Sequence, residues 1–171
     1  MTGAVVWVTG LPSAGKSTLA RRVIAALQGR GAGALLLDGD EVRQALVPAP
    51  GHLPAERDAF YETLARLAAL AARQGLVAVV AATSHRRAHR ARGRELAARF
   101  VEVWVRTPPE ECERRDARGL YRLFREGKAP LLPGPGVPYE PPEAPEVTAE
   151  GGEDGKAAET VVALLLPSSW P

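Results

Sequence analysis

Gly10-Leu11-Pro12-Ser13-Ala14-Gly15-Lys16-Ser17-Thr18 stands directly after the apolar run Ala4-Val5-Val6-Trp7-Val8, and a helical spacing of Leu19, Ala20, Val23, Ile24 and Leu27 follows it. A glycine-rich turn between a buried strand and a helix points successive backbone N–H groups inward, at the positive end of the helix dipole. Gly10-x-x-x-x-Gly15-Lys16-Ser17 matches the P-loop pattern in full, in the strand–turn–helix context that the pattern requires. Residues Gly10 to Thr18 are therefore candidate ligands of a nucleoside triphosphate. Lys16 would reach the β- and γ-phosphates, and Ser17 would ligate Mg²⁺. A chance glycine-rich turn is the competing reading, and the flanking elements weigh against it.

Outward from the loop, the pattern alternates strands and helices. Ala34 to Leu37 reads as a second buried strand ending in Asp38, and Ala55 to Arg73 as a long Ala/Leu helix. Leu76 to Ala82 and Phe100 to Val105 read as further strands, with the basic segment His85 to Arg94 leading into a helix between them. A helical stretch should run from Pro109 through Arg125, and a closing helix from Ala157 to Leu166, before a frayed Pro-Ser-Ser-Trp-Pro tail. The Pro- and Gly-rich segment from Gly127 to Pro145 is too long for a mere connection, so it is functional or disordered. The pattern predicts an α/β, P-loop nucleoside triphosphate hydrolase fold with a parallel sheet flanked by helices. The 171 residues suit one domain, with a lid and acceptor-pocket segment at about 109–145.

Composition excludes more than it assigns. Cys112 is the sole cysteine, so no internal disulfide can form. No apolar stretch reaches a membrane span, which leads us to expect a cytoplasmic protein without a membrane partner. Asparagine is absent and Arg, Ala and Pro are plentiful, which fits a thermophile or a GC-rich genome equally. Guanine-specific switches need an Asn/Thr-Lys-x-Asp segment, and none of Lys16, Lys128 and Lys156 sits in one. A motor would need partner modules. What remains is a small kinase with ATP as donor.

Leu37-Asp38-Gly39-Asp40-Glu41-Val42-Arg43 places carboxylates at the carboxyl edge of the sheet, where ligands bind in open α/β folds. Gly39 should set Asp38 and Asp40 on one side of an extended turn. An acid there can take a proton from an attacking hydroxyl or hold water on Mg²⁺, and Arg43 can face an anion. Alternatively Asp38 caps the next helix.

With this segment in place, the chain resembles the adenylyl-sulfate kinases. Phe100 to Pro108, the Glu111-Cys112-Glu113-Arg114-Arg115-Asp116 element, Arg118-Gly119-Leu120-Tyr121 and Pro138-Tyr139-Glu140-Pro141-Pro142 are similar to that family's later segments, in order. The resemblance implies MgATP-dependent phosphorylation of the ribose 3′-hydroxyl of adenosine 5′-phosphosulfate. It implies Asp40 as base and Mg²⁺ organiser, with Lys16 in the catalytic set. Arg43 and Arg57 would hold the phosphosulfate, with Asp38 nearby, and Arg115 and Arg118 would lie on a lid over the nucleotides. Ser84 aligns with a position described as a phosphoserine, followed by Arg87 and Arg90. Direct in-line transfer needs no phosphoenzyme, so Ser84 is expected first as a pocket residue. The resemblance also suggests a homodimer.

Some positions depart from the family. Phe60 stands where a substrate-contacting Asn is usual, and Arg118 replaces a Lys. Two Phe rings that clamp the acceptor's adenine align with His52 (or Leu53) and Leu132. Phe60 or Tyr61 could return a ring, or simply be core. The runner-up acceptors are other small anionic alcohols, and a catalytically silent nucleotide-binding domain is a third reading. For Arg92 a solvated helix face is expected, and the basic segment lacks the interleaved aromatics of a nucleic-acid surface.

Overall fold

The computed structural model describes residues 3–166; the Pro167–Pro171 tail lies outside the described residues. Five parallel strands form one sheet in the order β2-β3-β1-β4-β5. They are β1 (Ala4–Thr9), β2 (Ala34–Asp38), β3 (Val77–Ala81), β4 (Phe100–Val105) and β5 (Val147–Ala149). Alternation along the strands divides the core between the two faces. Val6, Val8, Val79 and Val103 pack with helices α1 (Lys16–Gly29) and α7 (Gly155–Leu165). Val5, Trp7, Ala78 and Val80 meet α3 (Pro54–Arg73), beside which lies α4 (Arg87–Leu96). Strands buried on both faces explain why β1 and β3 read as continuous apolar runs rather than alternating ones.

Three expectations are corrected. Gly39 does not sit in an extended turn: it opens a short helix, α2 (Gly39–Ala45), whose N-cap is Asp38, because the Asp38 carboxylate accepts the backbone N–H of Asp40 at 3.0 Å. The helix expected from Pro109 through Arg125 is broken into α5 (Pro109–Arg115) and α6 (Leu120–Arg125). Asp116 (φ 34°) and Gly119 (φ 68°) are left-handed there, and the Asp116 carboxylate accepts the N–H groups of Tyr121 and Arg122 at 2.9 and 3.0 Å. The basic segment does not merely lead into a helix; it is most of α4.

The 127–145 segment is an ordered strap. Glu140 N–H donates to the carbonyl of His85 at 2.7 Å, and Arg87 N–H to the Glu140 carboxylate at 2.7 Å. Among the described residues no helix is long and apolar enough to cross a membrane.

Candidate active site

The phosphate loop joins β1 to α1 at the carboxyl edge of the sheet. Ser13 (φ 63°) and Gly15 (φ 101°) take left-handed backbone, and Gly15 is the N-cap of α1. Gly15 also meets Gly152 from the loop before α7 so closely that a Cβ on Gly152 would lie 2.6 Å from the Gly15 carbonyl. Thr107 Oγ1 donates to the Ala14 carbonyl at 2.6 Å, pinning the loop from β4's end. Lys16 Nζ donates to the Leu11 carbonyl at 2.7 Å. Burial lowers its pKa from 10.5 to about 8, against the attraction of Asp40 and Asp38. An ammonium held in that condition gains most from the arrival of phosphate oxygens.

Across the loop, Ser17 Oγ donates to Asp38 Oδ2 at 2.5 Å. Asp38 thus serves two partners: it caps α2 with one oxygen and receives Ser17 with the other. The cap reading holds for this residue, and its second oxygen faces the phosphate loop. Asp40 is half exposed and is ion-paired with Arg118 from the α5–α6 turn. The same turn is bound to the phosphate loop, since Ala117 N–H donates to Ser13 Oγ at 3.2 Å and Tyr121 O–H to the Pro12 carbonyl at 2.9 Å. The α5–α6 segment is therefore held to the phosphate loop by two hydrogen bonds and to Asp40 of α2 by an ion pair.

One cleft of about 690 Å³ contains this constellation. Its phosphate end is lined by Lys16, Ser17 and Asp40, and Arg115 and Arg118 reach it from the α5–α6 segment. The other end is walled by Arg43, Arg57, Phe60, Tyr61 and Leu132. Arg43 donates to the carbonyls of Pro50 and Gly51 at 3.1 and 2.6 Å and lies 4.0 Å above the Phe60 ring. Arg57 is only 8% exposed, and its guanidinium has no hydrogen bond or ion pair among the described residues. Burial works against the charge of both arginines. A buried cation with no carboxylate is costly, and an anionic ligand is what would relieve it. A second recess of about 500 Å³ opens beyond Gly15 and Thr18, between Arg115 and the Glu150–Asp154 loop.

Ser84 is not brought to this cleft. It is fully buried, its Oγ accepts Trp7 Nε1–H at 2.9 Å, and its left-handed backbone (φ 44°) turns the chain from β3 into α4. Thr83 lines the wall instead. Arg87 is likewise outside, paired with Glu140 and Glu143. The rest of the basic run is also neutralised at home. Arg86 pairs with Asp58, Arg90 with Glu102 at 2.7 Å, Arg92 with Glu62 and Glu95, and Arg94 with Glu146. Apart from Glu95, those acidic partners lie outside the helix α4, so a linear charge pattern cannot show the pairing.

Of the two positions aligned with a ring clamp, Leu132 is buried, and both His52 and Leu53 border the cleft as exposed residues. Phe60 and Tyr61 reach both the core and the cleft wall, so neither alternative for them excludes the other. What sequence reasoning did not mark is the Gly151–Gly152 loop, whose only signal was a glycine pair before the last helix.

Comparison with known proteins bears on the same elements. The family model described as adenylylsulphate kinase matches residues 2–150. An adenylyl-sulfate kinase of Synechococcus sp. (strain JA-3-3Ab) is 42% identical over 151 residues, covering 88% of this chain and 86% of the relative. One from Paraburkholderia xenovorans (strain LB400) is 41% identical, covering 86% of this chain and 83% of the relative. The structure is similar to the Mycobacterium tuberculosis APS kinase CysC in complex with AMPPNP and APS, with a TM-score of 0.89 and 36% identity over 96% of this chain and 98% of that one. With a family model spanning nearly all of the chain and relatives above 40% identity, this protein belongs to the adenylyl-sulfate kinase family.

Proposed function

We propose that the chain transfers the γ-phosphoryl group of ATP to the ribose 3′-hydroxyl of adenosine 5′-phosphosulfate, the step that yields the 3′-phosphorylated nucleotide in sulfate assimilation. The observation that carries the reading is the unpaired Arg57, buried in the same cleft that has Lys16 and Asp40 at its other end. An anionic alcohol seated on Arg57 and Arg43 would face the phosphate loop across the length of one cleft.

The hydroxyl oxygen forms a bond to the γ-phosphorus, the bond to the bridging oxygen breaks, and ADP leaves. Asp40 accepts the hydroxyl proton, and Arg118, released from Asp40, turns to the phosphates with Arg115. Lys16 and the loop amides hold the β- and γ-oxygens where negative charge is spread in the transition state. The nucleotide base would occupy the recess beside Gly15, Arg115 and the Gly151–Gly152 loop.

The oxygen-only set of Ser17, Asp38 and Asp40 fits Mg²⁺. Among the described residues no cluster of three or more His, Cys, Asp or Glu forms a closed metal cage, in keeping with an ion shared with nucleotide phosphates. When bound, Mg²⁺ draws charge from the β- and γ-oxygens. Residues 109–145 would act as lid and acceptor-pocket loop of a single domain working as a cytoplasmic homodimer, which light scattering would test.

Adenosine 5′-phosphosulfate should strongly stimulate ADP release in a coupled assay with MgATP, and other small anionic alcohols should not. Stimulation by one of those alcohols, with none by the phosphosulfate, would refute the acceptor.

A further inference from the structure

Tyr61 stands in the acceptor wall of the cleft, only 6% exposed. Its hydroxyl oxygen accepts the backbone N–H of Ser84 at 3.1 Å. A phenol also has one proton to give, and no oxygen among the described residues receives it. The other two tyrosines differ: Tyr121 donates to the Pro12 carbonyl at 2.9 Å, and Tyr139 shares a hydrogen bond with Thr9 at 3.0 Å. Buried donors in native proteins are nearly always satisfied, so an unused one on a cleft wall marks a place for a ligand.

Its surroundings define that ligand. The positive charges of Arg43 and Arg57 bear on the phenol, and Arg57 also lacks a partner among the described residues. Burial raises the phenol above its ordinary pKa of 10, so Tyr61 keeps its proton at physiological pH. The ring is fixed before any ligand arrives. Phe60 lies 5.4 Å away on one side, and His89 lies 4.4 Å away with its plane tilted by 30°. His89 Nε2 is in turn hydrogen-bonded to Asp58 at 2.8 Å. A donor held by its neighbours loses little freedom on binding.

We propose that Tyr61 is a direct ligand of the acceptor, donating its hydroxyl proton to an oxygen of the acceptor's anionic group beside Arg57, while Ser84 N–H holds the phenol oxygen from behind. This rests on the phosphosulfate reading above. The contact exists in ground state and transition state alike, so it sets acceptor affinity rather than turnover.

Tyr61→Phe keeps the ring and removes the proton. The KM for adenosine 5′-phosphosulfate should rise on the order of 10-fold to 100-fold, the loss expected for a hydrogen bond to a charged group. The KM for ATP and kcat should stay within about twofold, a split that a general loss of structure would not give. An unchanged acceptor KM overturns the assignment. The variant leaves Ser84 N–H without its acceptor, so wild-type protein carrying ¹³Cζ-tyrosine supplies a second measurement that does not depend on its folding. With the other tyrosine signals assigned through Tyr121→Phe and Tyr139→Phe, the Tyr61 resonance should shift on saturation with the phosphosulfate, and no shift overturns the assignment. Wild-type protein that releases no ADP with the phosphosulfate removes the acceptor reading and the Tyr61 ligand together. Wild-type turnover with an unaffected Tyr61→Phe removes Tyr61 alone.

Discussion

Acidification from pH 7 to 5 should destabilise the protein chiefly through His85. Its side chain is 7% exposed, its Nδ1 has no hydrogen-bond partner among the described residues, and its ring meets that of His89 edge-on at 5.4 Å. Burial, then the charges of Arg57, His89 and Arg86, push its pKa from 6.5 down to about 4, with only Asp58 opposing. Between those values the unfolded chain binds a proton that the folded protein refuses. Stability is therefore complete above the unfolded value, falls as pH drops through it, and levels off near the folded one. Linkage across pH 7 to 5 gives a loss of about 2 kcal/mol from this residue. For a chain of this size, that is on the order of 4–8 °C in Tm. Carboxylates titrate mostly below this window, while His89 is shifted in the same direction and adds to the slope. The discriminating measurement is therefore a difference: urea unfolding of wild type and His85→Phe at pH 7 and pH 5. The variant should lose about 2 kcal/mol less over that interval, whatever its absolute stability. Parallel pH profiles would refute the claim that His85 is a buried, neutral imidazole in the folded protein.

Asp40→Asn keeps the shape of the side chain but removes proton acceptance and the Arg118 ion pair. Turnover should fall on the order of 10²- to 10⁴-fold, while equilibrium titration shows ATP affinity within a few-fold; turnover near wild type would take Asp40 out of the base role. Gly152→Ala would put a Cβ 2.6 Å from the Gly15 carbonyl and 2.9 Å from Thr18 Cβ. Such overpacking costs roughly 1–3 kcal/mol, so calorimetry should show a lower Tm and kinetics a raised ATP KM with an unchanged acceptor KM. An ATP KM equal to that of wild type would mean that this contact does not shape the nucleotide side.

The sequence made the fold legible where local signals were strong. β1, the phosphate loop and α1 could be read together because a buried run, a glycine turn and a helical period occur in immediate succession. β5 was missed because three residues just after a Pro-rich segment carry no period; it exists only by pairing with Val103 to Val105 of β4. The break between α5 and α6 was missed because Arg115-Asp116-Ala117-Arg118 continues a helical composition, and the stop comes from Asp116 capping the next turn with its own side chain. In the cleft, Lys16 and Ser17 were legible because the P-loop motif fixes their spacing, and Asp40 because it follows the end of a strand at the sheet's carboxyl edge. Ser84 was misplaced because sequence order carries it to the sheet's edge, yet only the fold shows its hydroxyl turned inward to Trp7.

The arginines show most clearly what separates the two levels. Along the chain, Arg86 to Arg94 is the densest basic run, and by charge alone it would be the first place to seat an anion. Folding supplies it with Asp58, Glu62, Glu102, Glu140 and Glu146, mostly from distant elements, and its charge is spent on joining α4 to α3, β4 and the strap. Arg57 stands alone in sequence and alone in space. Its side chain lines the cleft without a carboxylate, so an anionic ligand seated there would supply the missing counter-charge. Arg43 and Arg57 in the acceptor wall are thus distinguished by having no carboxylate partner among the described residues, whereas Arg115 and Arg118 at the phosphate end pair with Glu111 and Asp40.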